Sequence, residues 1–202
     1  MLKFFLIIIV LIGCDKDEAG DNTTGSSALN GTWARECSSN PVGQTSSREF
    51  RIMDGSSMTY IYRGYEDLEC SNKIFSYQSE YSISISGENF DIHSFSSYKL
   101  SISDENYLVS ANGSAFCGSS DWQLSIARDI GGKTCRWTHT DSESSSSIAG
   151  REAFNGPTIY GSAKLVEGSL WFAAGDDDND GSSSVKRAST YENSPLYIWY
   201  KQ

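Results

Sequence analysis

Histidines, basic residues and closely spaced cysteines are all scarce in this chain of 202 residues. The only two histidines, His93 and His139, lie away from any nucleophile motif such as Gly-x-Ser-x-Gly, so no catalytic triad is recognisable. Sixteen basic residues face 26 acidic ones, and the net charge of −10 argues against a nucleic-acid partner. No two cysteines have the spacing of roughly two to four intervening residues that structural zinc sites use. We therefore expect a protein that is not an enzyme and needs no cofactor.

A sustained helical period is also missing. Apolar residues instead alternate with polar ones in short runs bounded by Gly, Asn, Asp and Ser, which is typical of half-buried strands. The clearest run places Phe75, Tyr77, Tyr81, Ile83 and Ile85 on one face. The other predicted strands lie around Trp33, at Phe50 and Ile52, and at 90–92, 98–102, 108–110, 122–126, 135–140, 158–166, 169–173 and 196–200. This pattern predicts an all-β, antiparallel fold of about ten short strands, arranged as a barrel or half-barrel.

The N-terminal residues 1–13 have the features of an export signal. Lys3 precedes an apolar run from Phe4 to Ile12 that is too short to span a bilayer, and the tetrapeptide Leu11-Ile12-Gly13-Cys14 follows. This tetrapeptide resembles a bacterial lipobox, in which the cysteine is linked to diacylglycerol, the signal is cleaved, and the new N-terminus is often acylated. The resemblance implies that Cys14 carries acyl chains, such as palmitate, and holds the protein at a membrane.

Lipidation of Cys14 would leave an even number of cysteines, namely Cys37, Cys70, Cys117 and Cys135. An exported protein folds in an oxidising compartment, where these four can form two disulfides. Three pairings are possible. We favour Cys37 with Cys70 and Cys117 with Cys135 because these pairs close the local loops, 33 and 18 residues long.

The chain divides into three parts. Residues 1–13 are the predicted signal peptide, residues 14–28 are a lipidated cysteine and a flexible acidic tether with few apolar residues, and residues 29–202 form one domain. The resemblance to a lipobox implies that the domain lies in the bacterial cell envelope, in the periplasm or at the cell surface. Asp15 resembles the inner-membrane retention residue of enterobacterial lipoproteins, but the rule differs between bacteria, so inner and outer membrane both remain open.

A second resemblance rests on elements near the start of the domain. They are Gly31-Thr32-Trp33, Cys37, a strand with Arg48 and Phe50, and the hexapeptide Tyr65-Glu66-Asp67-Leu68-Glu69-Cys70. In this order they resemble the lipocalin-like domain of the extracellular Wnt inhibitor family named for down-regulation by adenomatosis polyposis coli protein. The resemblance covers roughly residues 29–90. It implies an antiparallel barrel or half-barrel, a disulfide between Cys37 and Cys70, and a cavity for an apolar ligand; it does not imply signalling inhibition.

One acidic run has part of a calcium-binding pattern. Asp176, Asp178 and Asp180 alternate and Gly181 follows, as in the first half of a calcium loop. The twelfth position is Arg187 instead of a bidentate Glu, so a metal-free acidic loop is the favoured interpretation.

Two functions therefore follow from the sequence. The first is a lipid-anchored envelope lipoprotein whose lipocalin-like domain binds an apolar or aromatic small molecule. The alternative is a structural or protein-interaction lipoprotein with a filled barrel and no ligand. A carboxylate-based hydrolase would need two acids in one cleft, and no spacing in the sequence identifies such a pair.

Overall fold

The computed structural model describes residues 26–39, 45–137, 146–149 and 158–202. The predicted signal peptide, Cys14, Asp15, nearly all of the tether and His139 lie outside the described residues.

Twelve strands and one α-helix are found among the described residues. The strands are β1 (Gly31–Ala34), β2 (Ser38–Ser39), β3 (Ser46–Asp54), β4 (Ser57–Tyr65), β5 (Lys73–Ser86), β6 (Asn89–Ile102), β7 (Arg128–Asp129), β8 (Thr134–Trp137), β9 (Ser146–Ala149), β10 (Ile159–Val166), β11 (Ser169–Phe172) and β12 (Ile198–Lys201). The helix α1 is Glu105–Gly113, and short 3-10 turns lie at Ser26–Leu29, Phe116–Gly118 and Ser184–Lys186.

Eight of the strands form a closed antiparallel ring in the order β1, β12, β11, β10, β6, β5, β4 and β3. The short strand β1 closes the ring because it pairs with β12 on one side and with β3 on the other. The ring is not a regular barrel, since β10 pairs with only the first four residues of the much longer β6. The predicted all-β, antiparallel fold is confirmed.

The interior of the ring is packed with side chains. Ten buried residues form this first cluster: Leu29, Trp33, Met53, Met58, Ile83, Phe90, Ala163, Leu170, Phe172 and Trp199. The indole Nε1 of Trp33 donates a hydrogen bond of 2.8 Å to the carbonyl oxygen of Leu29, so the buried ring keeps its polar atom satisfied.

The hairpin of β5 and β6 extends beyond the ring and carries a second cluster. Two irregularities insert an extra residue into β6, one near Ser96 and one near His93, relative to β5. Because a single insertion reverses the alternation of side chains, Phe95 pairs with Tyr81 and faces the same side as Leu100, which pairs with Tyr77. The apolar face predicted for residues 75–85 is thereby continuous across both strands.

The second cluster lies where α1 and the following turn cover this hairpin. Its buried residues are Tyr77, Leu100, Ile102, Ala111, Phe116, Cys117, Trp122, Ile130 and Cys135. The Asn112 side chain fixes Trp122: its Oδ1 accepts from the Trp122 N–H at 2.6 Å, and its Nδ2 donates to the Trp122 carbonyl at 3.1 Å. No described helix is both long and apolar enough to cross a membrane.

Both favoured disulfides are present. Cys37 is bonded to Cys70 and Cys117 to Cys135. Cys70 and Cys117 have φ angles of 56° and 52°, a left-handed conformation that is uncommon for residues other than glycine. Each covalent bond therefore holds a tight backbone turn in place, one beside β3 and one beneath α1.

Several predicted strands are wrong. Residues 108–110 belong to α1, because Asp104 accepts a hydrogen bond from the Tyr107 N–H and caps a helix. Residues 122–126 form only a single bridge, from Leu124 to Ile102. The strand β4 was not predicted, and the separate strands at 90–92 and 98–102 are both parts of β6. On β3, Met53 faces the packed interior, whereas Ile52 is exposed on the outside.

We predict that Asn112→Ala destabilises the domain by about 1 to 3 kcal/mol, because the backbone N–H of Trp122 then loses its acceptor beside a buried cluster. Asn106→Ala, at an exposed position of the same helix, is the matched control and should leave the free energy of unfolding nearly unchanged. Urea unfolding followed by tryptophan fluorescence measures both. Equal midpoints for the two variants would contradict the role of Asn112.

Candidate ligand groove and the ring interior

A groove of about 360 Å³ lies along β6, just below the point where β10 leaves it. β10 pairs with β6 up to Ile92, and β7 pairs with it from Lys99. Between these two positions no described strand pairs with this edge of β6. The lining residues are Phe95, Ser96, Ser97, Tyr98, Asp129, Gly131 and Gly132.

The wall opposite β6 is the turn after β7. The Ile130 N–H donates to the Tyr98 carbonyl at 2.9 Å, and the Ile130 side chain is fully buried in the second cluster. Asp129 Oδ1 accepts from the Gly131 N–H at 2.8 Å, and Gly132 has a φ of 69°, which glycine adopts readily. The turn is therefore tied to the sheet, and the shape of the groove depends on both clusters.

Aromatic rings form the apolar floor and continue towards the interior of the ring. The centroids of Tyr98 and Phe95 are 6.0 Å apart, and those of Phe95 and Tyr81 are 5.4 Å apart. Tyr98 also stacks on Tyr77 at 5.6 Å. A small aromatic molecule in the groove would find edges and faces at ordinary stacking distances.

Charged side chains lie on the inward face of β3. Glu49 and Arg51 are two residues apart on this strand, so they share a face with Met53. Arg35 Nη1 forms a salt bridge of 2.5 Å with Glu49, and both side chains are mostly buried. Burial, together with the charge of Glu49 and a hydrogen bond to it, raises the pKa of the Tyr60 phenol, so this tyrosine stays protonated.

Arg51 lies over two rings of the first cluster. Its guanidinium carbon is 3.8 Å from the centroid of Phe172 and 4.5 Å from that of Trp199. Its Nε is buried without a hydrogen-bond partner among the described residues, and it takes part in none of the four salt bridges found there. Burial lowers the pKa of Arg51 to about 10, which still leaves it cationic at neutral pH.

The carboxylates of the calcium candidate, Asp176, Asp178 and Asp180, do not lie close enough together to bind one metal ion. Asp176 Oδ1 instead accepts from the N–H groups of Asp178 and Asn179, at 3.0 and 2.7 Å, as in a tight polar turn. Among the residues that the structure describes, no three His, Cys, Asp or Glu side chains lie close enough to hold a metal ion.

His93 is a surface residue between neighbouring strands. Its Nε2 lies 2.8 Å from the Ser84 hydroxyl and its Nδ1 lies 3.3 Å from the Thr158 hydroxyl. The side chain is exposed. These contacts join β5 and β6 to the start of β10.

The Tyr-x-Asp-x-x-Cys motif has a structural role. The Asp67 carboxylate accepts from the Ser71 N–H at 2.8 Å, the Ser71 hydroxyl at 2.7 Å and the Asn72 N–H at 2.6 Å. These hydrogen bonds, led by the one from the Ser71 N–H, lower the pKa of Asp67. The aspartate thereby closes the loop that presents Cys70 to Cys37.

Sequence reasoning placed neither the groove nor Arg51. The sequence does not indicate Phe95, because strict alternation along β6 would place it on the face opposite to Leu100. The insertion near Ser96 brings both side chains to the same face. The sequence does not indicate Arg51, because the alternation of Phe50 and Ile52 predicts that the other side of β3 is the buried face. Glu49, Arg51 and Met53 lie at alternate positions, and this pattern was the signal in the sequence that they share one face of β3.

Comparison with known proteins gives no further guide. No family model matches the chain, and no curated protein sequence matches it significantly.

We predict that Asp67→Asn lowers the melting temperature at neutral pH. The pKa of Asp67 is depressed on folding, so its stabilisation is fully present above the ordinary Asp value of about 3.9 and is lost as the pH falls below it. The difference between wild type and variant should therefore narrow from pH 7 to pH 3 in differential scanning calorimetry. A difference independent of pH would show that the carboxylate charge is not involved.

Proposed function

We propose that this protein is a lipid-anchored lipoprotein of the bacterial envelope whose β-domain binds a small aromatic or apolar molecule and performs no catalysis. The observation that carries the proposal is the groove beside β6. Its volume of about 360 Å³ lies within the range of roughly 300 to 1,000 Å³ usual for small-molecule sites.

The lining of the groove supports this proposal. Phe95 and Tyr98 supply an apolar floor, and Asp129 and the backbone of Gly131 and Gly132 supply polar groups. The Ser97 hydroxyl is buried without a hydrogen-bond partner among the described residues. Apolar walls with a few convergent polar groups are typical of ligand sites.

The filled ring is a specific observation in favour of the alternative. Trp33, Phe90, Phe172 and Trp199 occupy the space where a deep lipocalin-like cavity would lie. A structural or interaction lipoprotein with no ligand would have such an interior. The groove therefore has to account for binding, since the centre of the ring has no room for a ligand.

Attachment to the membrane rests on Cys14. Each acyl methylene buried in the bilayer contributes about 0.8 kcal/mol to membrane binding. One chain alone gives only marginal attachment, so the two or three chains of a lipoprotein are needed to hold the protein firmly at the membrane. We predict that Cys14→Ser either releases the protein from the membrane fraction into the soluble fraction or leaves its signal peptide uncleaved. Fractionation and the intact mass of both forms test this. A wild-type mass without acyl chains would contradict the anchor.

Ligand binding is tested with a neutral aromatic probe, 2-naphthalenesulfonamide, and the full chain in a non-ionic detergent. We predict saturable binding in titration calorimetry that weakens about tenfold or more in Ser96→Trp, because the indole fills the groove. Ser82→Trp, at an exposed position on β5 outside the groove, is the matched control and should bind like wild type.

Native mass spectrometry of the protein from its own host gives an independent result. A co-purified small molecule that is absent from Ser96→Trp would support the groove. If the probe shows no saturable binding and nothing co-purifies, the ligand-free alternative is the better description.

A further inference from the structure

The groove beside β6 contains one charged side chain and no opposite charge to match it. Asp129 is the only one of the lining residues that is charged at neutral pH. Its Oδ1 accepts a hydrogen bond of 2.8 Å from the Gly131 N–H, which holds the carboxylate against the turn that forms the wall opposite β6. Its Oδ2 has no hydrogen-bond partner among the described residues, and the side chain is exposed. The carboxylate is therefore fixed in position with one oxygen available.

The basic residue opposite Asp129 is paired with a different carboxylate. Lys99 is the cross-strand partner of Asp129 in the pairing of β6 with β7, but its ammonium lies 3.6 Å from Glu80 Oε1. Asp129 takes part in none of the four salt bridges found in the described part of the chain. Because Lys99 and Glu80 neutralise each other, Asp129 leaves this side of the groove with one unmatched negative charge.

The carboxylate and the aromatic floor lie on either side of the open edge of β6. Successive residues of a strand point to opposite faces, so Asp129 lies at the rim on the side of Lys99, and the Tyr98 ring lies on the inward side. The Ile130 N–H donates to the Tyr98 carbonyl at 2.9 Å, so the chain that carries Asp129 runs directly beside Tyr98. Neighbouring strands are about 4.8 Å apart. A small molecule that lies across the open edge would therefore reach both groups.

Both parts of the groove favour a positive group over a negative one. A carboxylate and an ammonium form a charge-assisted hydrogen bond. The faces of aromatic rings such as Phe95 and Tyr98 also attract cations. An anion would instead meet the charge of Asp129 within a chain whose net charge is −10.

We propose that the natural ligand is an aromatic or apolar molecule that carries a protonated amine, and that Asp129 binds the ammonium while Phe95 and Tyr98 hold the apolar part. This inference rests on the proposed binding function and names the ligand class of the same groove.

A pair of nearly isosteric probes tests the inference. 2-(Aminomethyl)naphthalene is a cation at neutral pH, and 2-naphthalenemethanol has a neutral hydroxyl in place of the ammonium. In titration calorimetry of the full chain in a non-ionic detergent, we expect wild type to bind the amine about three- to tenfold more tightly. The preference should shrink as the salt concentration rises from about 0.05 to about 0.5 M, since exposed charges are screened.

Asp129→Asn is the decisive variant because it removes the charge and keeps an Oδ1 that can accept from the Gly131 N–H. The preference for the amine should disappear, while the affinity for the alcohol changes little. A loss of affinity for both probes alike would show that Asp129 acts through the shape of the turn, and would overturn the proposal. If Asp129→Asn does not fold, Asp129→Glu keeps the charge on a longer side chain and should retain part of the preference.

The matched control is Asp177→Asn. Asp177 is an exposed aspartate in the loop after β11 and does not line the groove. This variant removes the same charge from the same chain at a different place, so it should keep the preference for the amine. Equal losses in Asp177→Asn and Asp129→Asn would mean that the net charge of the protein attracts the amine, and would overturn the assignment to Asp129.

The outcomes separate this inference from the proposed function. If wild type binds both probes equally, or if the preference survives in Asp129→Asn, the ammonium site is overturned and the groove stands, provided that Ser96→Trp weakens both probes. If Ser96→Trp weakens neither probe, the amine is bound outside the groove, and both proposals are overturned. Binding of neither probe would also overturn both.

Discussion

The continuous apolar face of the β5 and β6 hairpin is the constraint on which the other elements depend. Ile83 and Phe90 pack inside the ring, whereas Tyr77 and Leu100 pack under α1, so one hairpin belongs to both clusters. Continuity requires the two insertions in β6, which bring Phe95 back to the inner side. They also bend the strand where β10 leaves it, and the groove forms at this place.

The sequence predicted the elements that follow simple periodicity. The face of Phe75, Tyr77, Tyr81, Ile83 and Ile85, the antiparallel fold and both cysteine pairs are present in the structure. It could not predict features that depend on distant partners. The helix α1 has nine residues, begins at the Asp104 cap and is tied to Trp122 through Asn112. An insertion in a strand leaves no local pattern, and for that reason β6 was divided into two.

The position of the charged residues was equally difficult to predict from the sequence. An arginine between two apolar residues is normally expected on the solvent-exposed face of a strand, and the alternation of Phe50 and Ile52 predicts this for β3. In the structure Phe50 is buried on the outer face beneath Arg48 and Arg63, and Arg51 faces inward. Both faces of β3 therefore combine arginine with aromatic rings, and the pairing of β3 with its neighbours in the ring determines which face is enclosed.

The closing strand β1 has a mechanical consequence. The chain that precedes Leu29 enters the ring through this strand of four residues, which is hydrogen-bonded along both edges and anchored by the buried Trp33. Tension on that preceding chain would load those bonds roughly perpendicular to their axes and together, in shear, instead of opening them one after another. The domain would thus resist a pull on its N-terminal chain by several hydrogen bonds acting in parallel.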